Sequence, residues 1–383
     1  MNPTMGKKIA ILGSTGSIGK NALKVIDHTD QEFTVVALAA KSNIDLLEQQ
    51  ALCYRPQLVA VWDEAKAREL QKRIPDIPVL AGEEGVVAAA THPDAELLLS
   101  AIFGFEGVLP TLKAIEAGKD VALANKEALV AAGKLVTRLA EKHGVKIIPV
   151  DSEHTAIFQC LNGENPSEVD RIILTASGGP FREYSKERLA GVGLSDALNH
   201  PNYAMGAKVT IDSSTLMNKG LEMIEAHFLY DVPLEKIDIV IHPQQVIHSM
   251  VEFVDRSILA QMGEPSMLPP IQYALTYPKR LPGMLKPFDF TKYPVLEFSK
   301  ADTDRFRCLD LAYGALREGG SMPCFMNAAN EILVQRFIQK EIGWLEIGTK
   351  LESLMEKHEV HTPGHYEDLT LIDTEARRLA HLI

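Results

Sequence analysis

The chain has 383 residues, of which 46% are hydrophobic and 23% charged, and its formal net charge is -12. That length is too great for one ordinary core, and the composition is that of a globular protein rather than a disordered or fibrous one. The acidic balance argues against a nucleic-acid footprint, which needs clustered Lys and Arg, and no apolar run approaches the ~18 residues that span a bilayer.

Lys7 to Leu12 reads as a strand that ends in Gly13-Ser14-Thr15-Gly16-Ser17-Ile18-Gly19, with helical character from Asn21 to Ile26. Nothing before it resembles a secretory leader, so the expected location is the cytoplasm. Phe33 to Ala40, Leu58 to Val61, Glu96 to Ser100, Val121 to Ala124 and Lys146 to Val150 continue as apolar strands separated by helix-forming stretches. Strands without polar alternation, spaced by helices, predict a parallel sheet covered on both faces. After Val150 the repeat stops. Arg171 to Ala176, Ile237 to Ile241, Ser249 to Phe253 and Ser257 to Gln261 predict a mostly antiparallel sheet, with a tight turn at Asp255-Arg256. Pro278, Pro282, Pro287 and Pro294 punctuate an ordered linker, and Leu309 to Arg317, Asn327 to Lys340 and Leu345 to His358 carry helical patterns. The expected architecture is α/β. A Rossmann-like parallel-sheet domain (1–150) precedes an α+β catalytic domain (151–280), a linker (281–307) and a C-terminal helical bundle (308–383). Cys53, Cys160, Cys308 and Cys324 are too scattered for a zinc ribbon or a disulfide framework.

Three glycines spaced three apart, between a strand and a helix, let the backbone turn sharply and approach a pyrophosphate. NAD binders usually end the second strand in a carboxylate, but here it ends in Ala40-Lys41-Ser42-Asn43. A cation with two donors favours the 2′-phosphate of NADPH, tempered by the nearby Asp45. The blander alternative, compatible with cofactor binding, is that Ser42 or Asn43 caps the helix through Gln50.

Asp151 and Glu153, read as an extended segment beyond the strand at Lys146 to Val150, would point to one side and share an ion. Asn218, Lys219, Glu222 and Glu225 fall at spacings of three and four, along one helix face with Ser213 or Ser214 near its start. All these ligand candidates are oxygen donors, which selects Mg²⁺ or Mn²⁺ over zinc. Lys126 and His200 are available to the same cluster. Glu225 reads better as a support, and His242 and His248 as packed strand histidines.

The segments Gly13 to Gly19, Ala124 to Glu127, Asp151 to His154, Ser177 to Phe181, His200 to Asn202, Met217 to Glu222, His242 to Gln244, Val246 to Met250 and Asn327 to Glu331 stand in one order. In that order the chain resembles the 1-deoxy-D-xylulose 5-phosphate reductoisomerases of the non-mevalonate isoprenoid pathway. The resemblance implies a homodimeric enzyme that uses NADPH and a divalent metal to isomerise and reduce its sugar phosphate to 2-C-methyl-D-erythritol 4-phosphate. It implies that Thr15, Gly16, Ser17 and Ile18 hold the cofactor phosphates and that Asn125, Glu127 and Gly206 contact its nicotinamide half. By the same resemblance Asp151, Glu153 and Glu222 are metal ligands, and Ser177, Ser213, Asn218 and Lys219 bind the substrate phosphate. Lys126, Ser152 and His200 then contact the carbon chain, beneath a closing loop from about His200 to Gly206. Two positions depart from the family pattern: Tyr203 stands where many relatives have Trp, and Lys41-Ser42-Asn43 where Gly-Lys-Asn is usual. Another NADP-dependent dehydrogenase would share the glycine turn without a metal requirement, and a non-catalytic NADPH sensor would bind the cofactor without oxidising it.

Overall fold

A computed structural model describes residues 6–29, 33–199 and 206–383, which form two compact units. The first unit runs to Ala128 and includes Val136–Thr155 and Ser266–Pro287. Its seven strands are β1 (Lys7–Leu12), β2 (Phe33–Ala40), β3 (Leu58–Val61), β4 (Val79–Ala81), β5 (Leu97–Ser100), β6 (Asp120–Leu123) and β7 (Ile147–Pro149). They lie in the order β4-β3-β2-β1-β5-β6-β7, all parallel. Ile9 to Leu12, Val36 to Ala39, Val59 to Val61 and Leu97 to Leu99 are fully buried, as strands covered by helices on both faces must be. The chain steps outward from β1 to β4, then returns to the other side of β1 at β5. The carboxyl ends of β1 and β5 therefore border the switch point where such sheets take ligands. Strand β4 was not expected; it is three residues long, and Leu80 and Ala81 in it are exposed. The helix Leu268–Thr276 also had no counterpart in the sequence reading. It opens on Leu268-Pro269-Pro270, where proline fits the first helical turn.

The second unit takes in Leu129–Leu135, Ala156–Pro265 and Phe288–Ile383. Its sheet comprises β8 (Val169–Ala176), β9 (Ile237–Ile241), β10 (Ile247–Phe253), β11 (Ile258–Met262) and β12 (Ser299–Lys300), ordered β11-β10-β8-β9-β12. Three of its pairings are antiparallel and β8–β9 is parallel. The tight turn falls where expected: Arg256 has φ +74° and its N–H donates to the Phe253 carbonyl at 2.9 Å. Four C-terminal helices follow, Arg307–Glu318, Met322–Ile338, Trp344–Met355 and Tyr366–Leu382. The last was not anticipated, although Leu369, Ile372, Ala376 and Ala380 give it a buried stripe and Asp368 accepts from the Gly364 and His365 N–H groups at its start. The helix Met217–Tyr230 approaches Arg307–Glu318 closely at Gly220, where a Cβ would collide with that of Ala312. Among the described residues, no helix is long and apolar enough to cross a membrane.

The C-terminal helices carry an acid-sensitive contact. The His358 ring stacks on Phe325, centroids 4.1 Å apart, and its Nε2 lies 2.8 Å from the Ser321 hydroxyl. Burial, reinforced by the charge of His361, lowers its pKa below the ordinary imidazole value of 6.5. The folded state thus favours neutral His358, while the unfolded chain takes up a proton at the ordinary value. Its contribution is complete above that value and is lost as pH falls from there to the folded pKa. Thermal midpoints measured between about pH 7 and pH 5 should fall less steeply in His358→Phe than in the parent.

Candidate active site

At the carboxyl end of β1, Gly13 takes φ +76°, and a Cβ there would strike the carbonyl of Ala101, just beyond β5. Gly19 sits in the first turn of the helix Ser17–His28, and a Cβ on it would run into Gly13 and Ser14. Glycine at these two positions is what lets the helix seat on the turn. Gly16 is the N-cap and has no side chain to offer, so no side chain caps the N–H groups of the first turn, at Ser17, Ile18 and Gly19, which lie at the positive end of the helix dipole. The turn is held from below. The Ser14 hydroxyl donates to Gln50 Oε1 at 2.7 Å and Gln50 Nε2 returns a bond to the Ser14 carbonyl at 3.0 Å.

At the end of β2, Asn43 caps the helix Ile44–Tyr54 by accepting from the Leu46 N–H, and Lys41 pairs with Glu106 at 2.8 Å, largely exposed. Asp45 is drawn away by Arg73, 2.7 Å distant. Asn43 thus realises the cap.

The ends of β6 and β7 carry the next group. Asn125 caps the helix Lys126–His143 through the Ala128 N–H, and its amide donates to Glu127 Oε2 at 3.0 Å and to the carbonyls of Ile102 and Gly104. Asn125 and Glu127 are almost fully buried. Beyond β7, the Lys126 ammonium lies 2.5 Å from Asp151 Oδ2, and the Ser152 hydroxyl donates to Glu153 Oε2 at 2.6 Å. Asp151 and Glu153 offer oxygens within 4.8 Å of one another. Their convergence has a different origin from the one expected. Ser152–Cys160 is a helix, so strand alternation does not apply. Asp151 immediately precedes that helix, its carbonyl accepting from the Thr155 N–H at 2.8 Å, and Glu153 sits in the first turn.

In the second unit, the loop after β8 turns through Gly178 (φ +80°) and Gly179 (φ +68°), and the Gly179 N–H donates to Ser177 Oγ at 3.1 Å. A Cβ on Gly179 would strike the carbonyl of Ser213, which fixes the loop against the helix Ala207–Thr215. That helix ends at Leu216, a buried residue in the left-handed region at φ +60°, and Met217–Tyr230 begins at once. Such a conformation is unfavourable for leucine and persists because packing holds it. The sharp corner sets Ser213 on one helix and Asn218, Lys219 and Glu222 on the next. Asn218 Nδ2 donates to Glu222 Oε1 at 2.5 Å, and the Lys219 ammonium pairs with Glu222 Oε2. Lys219 and Glu222 are 4% and 1% exposed, so a buried charge pair stands where spacing placed it. Ser214, the alternative to Ser213, is buried, and its hydroxyl donates to the Ile211 carbonyl at 2.7 Å and accepts from Trp344. His242 is packed as expected, stacked on Phe298 with centroids 4.7 Å apart. Gly206 is the N-cap of Ala207–Thr215. His200 and Tyr203 lie outside the described residues.

Family models described as 1-deoxy-D-xylulose 5-phosphate reductoisomerase match residues 9–133, those for its C-terminal domain residues 147–230, and those for the DXP reductoisomerase C-terminal domain residues 262–379. The enzyme of that name from Protochlamydia amoebophila is 56% identical over 374 residues, covering 98% of this chain and 97% of the relative. The chain belongs to the 1-deoxy-D-xylulose 5-phosphate reductoisomerase family. The fold agrees. The Zymomonas mobilis reductoisomerase in complex with NADPH superposes with a TM-score of 0.94 at 43% identity, covering 98% of each chain. DOX-P reductoisomerase in complex with NADPH, fosmidomycin and magnesium gives 0.92 at 36%, again over 98% of each chain. Within this reductoisomerase chain, sequence reasoning missed Lys208, Asp212, Asn330 and Trp344. Asp212 is bonded by Lys208 at 2.9 Å and by Asn330 at 3.0 Å, and the second of these bonds joins residues 118 positions apart. Only the i,i+4 spacing of Lys208 and Asp212 was visible beforehand.

Proposed function

We propose that the chain converts 1-deoxy-D-xylulose 5-phosphate to 2-C-methyl-D-erythritol 4-phosphate, using NADPH and Mg²⁺ or Mn²⁺. The observation that carries this reading is 56% identity to a reductoisomerase along nearly the whole chain, through both carboxylate segments. Asp151, Glu153 and Glu222 are the proposed metal ligands. The donor set supports them: three carboxylates without sulfur suit a hard cation, and Glu153 and Glu222 are buried. When bound, the divalent ion supplies a Lewis acid toward the ketose oxygens and NADPH supplies the reducing equivalents.

The chain's own residues bind and orient. The first-turn N–H groups at Ser17 and Ile18, with Thr15 and Gly16, hold the cofactor phosphates. Lys41, Ser42 and Asn43, at the carboxyl end of β2 where no carboxylate closes the strand, meet the 2′-phosphate. Asn125 and Glu127, rigid in their network, contact the nicotinamide half together with Gly206. Ser177, Ser213, Asn218 and Lys219 bind the substrate phosphate, far from the reacting carbons, so their binding energy goes into orientation. Lys126, Ser152 and His200 contact the carbon chain, with Lys126 also setting the direction of the Asp151 carboxylate. Spectrophotometric NADPH oxidation with this substrate, with and without Mg²⁺, tests the reading; oxidation independent of the metal would refute it.

The chain is further proposed to work in the cytoplasm as a homodimer. β11 is an edge strand with Ile258 and Leu259 exposed, and Val254, Phe290, Val295 and Phe298 of the same unit add exposed apolar surface. An open apolar edge invites a second copy. Leu259→Glu is expected to shift the protein from dimer to monomer in sedimentation velocity, and an unchanged dimer would send the interface elsewhere.

A further inference from the structure

The C-terminal helices send two side chains to the segment that carries Ser213. Trp344, almost fully buried, donates Nε1–H to Ser214 Oγ at 2.8 Å. The same indole stands edge-on to Phe181, with centroids 5.3 Å apart and planes at 90°. One side chain therefore touches both the helix Ala207–Thr215 and the loop that carries Ser177. Asn330, fully buried, donates Nδ2–H to Asp212 Oδ1 at 3.0 Å, while Lys208 holds the other carboxylate oxygen. Asp212 and Ser214, the two residues flanking Ser213, are thus each tied to a different C-terminal helix.

Asn330 gains little from this for folding alone. Among the described residues its Oδ1 has no hydrogen-bond partner, and a half-satisfied buried amide is less favourable than an apolar side chain of similar size. Its bond to Asp212 gives the amide a purpose. A phosphate needs donors that converge from several directions, and small displacements of such groups weaken binding steeply. Ser177 and Ser213 come from a loop and a helix that approach closely at the bare backbone of Gly179, and groups that bridge the two set their separation.

We propose that Trp344 and Asn330 are positioning residues for the substrate phosphate: they lock the helix Ala207–Thr215 against the Ser177–Phe181 loop so that Ser177 and Ser213 bind one anion. This rests on the phosphate-binding role given above to those serines. Trp344→Phe removes the N–H and keeps a ring; Asn330→Leu removes the amide and keeps the bulk. Each is expected to raise KM for 1-deoxy-D-xylulose 5-phosphate roughly 10-fold, with kcat and KM for NADPH within about 2-fold of the parent, whether the melting temperature falls or rises. An unchanged substrate KM in both variants overturns the proposal, as does a rise in both KM values that follows the loss of stability. Ser213→Ala, measured alongside, separates the two failures. If it raises substrate KM and the positioning variants do not, the positioning role alone is wrong; if it leaves KM unchanged, the phosphate assignment is wrong and the proposal falls with it.

Discussion

Asp151→Asn is expected to lower turnover of 1-deoxy-D-xylulose 5-phosphate by about 10³-fold while leaving the fold intact. Asparagine keeps the size and one acceptor of aspartate but removes the charge, and affinity for a hard cation depends on the charge of its ligands. The Lys126 ammonium, 2.5 Å away, then faces a neutral amide, which shifts the local balance further against a cation. Stability should change little, because Asp151 and Lys126 are 25% and 15% exposed and a partly solvated pair is worth only about 1 kcal/mol. In a chain of this size that is a few degrees of melting temperature at most. Turnover across a Mg²⁺ titration, with thermal melts of both proteins, tests the expectation. Parent-like turnover of the variant in thoroughly chelated buffer would remove the metal from the account.

The sequence made the parallel sheet legible because strands buried on both faces need uninterrupted apolar runs, and Ile9 to Leu12 or Leu97 to Leu99 can hardly be read otherwise. The glycine turn was equally clear, since Gly13 and Gly19 are dictated by close backbone approach. Elements without a marked apolar face escaped: β4 is short and exposed, and Leu268–Thr276 lies between a strand and a proline-rich stretch. Tyr366–Leu382 carries a readable stripe in Leu369, Ile372, Ala376 and Ala380. The site divided along the same line. Asn218, Lys219 and Glu222 are neighbours by helical spacing, a local property, and the structure reproduces it. The pairing of Asp151 with Glu153 was reached through the wrong local geometry. Bonds from Asn330 to Asp212 and from Trp344 to Ser214 join residues more than a hundred positions apart, and no periodicity reports such contacts.

Lys219→Ala should weaken substrate binding by about 10- to 100-fold, the worth of a charge-assisted hydrogen bond to phosphate, and leave NADPH affinity as it was. It should also destabilise the protein. Lys219 and Glu222 form a buried pair, and removing the cation leaves a buried carboxylate beside the Asn218 amide, at a cost of about 3 kcal/mol. Loss of binding could therefore be mistaken for loss of structure. A second variant separates them: in Lys219→Met with Glu222→Gln both charges are gone, the buried pair becomes neutral, and the melting temperature should recover toward the parent value. Substrate affinity should not recover with it, because no cation remains for the phosphate. Calorimetric binding of NADPH supplies the reference, since the cofactor turn at Gly13 to Gly19 belongs to the other compact unit. If substrate and NADPH affinities drop together in Lys219→Ala, or if substrate affinity returns with stability in the double variant, the loss in Lys219→Ala reflects lost stability and the phosphate must be bound by other groups.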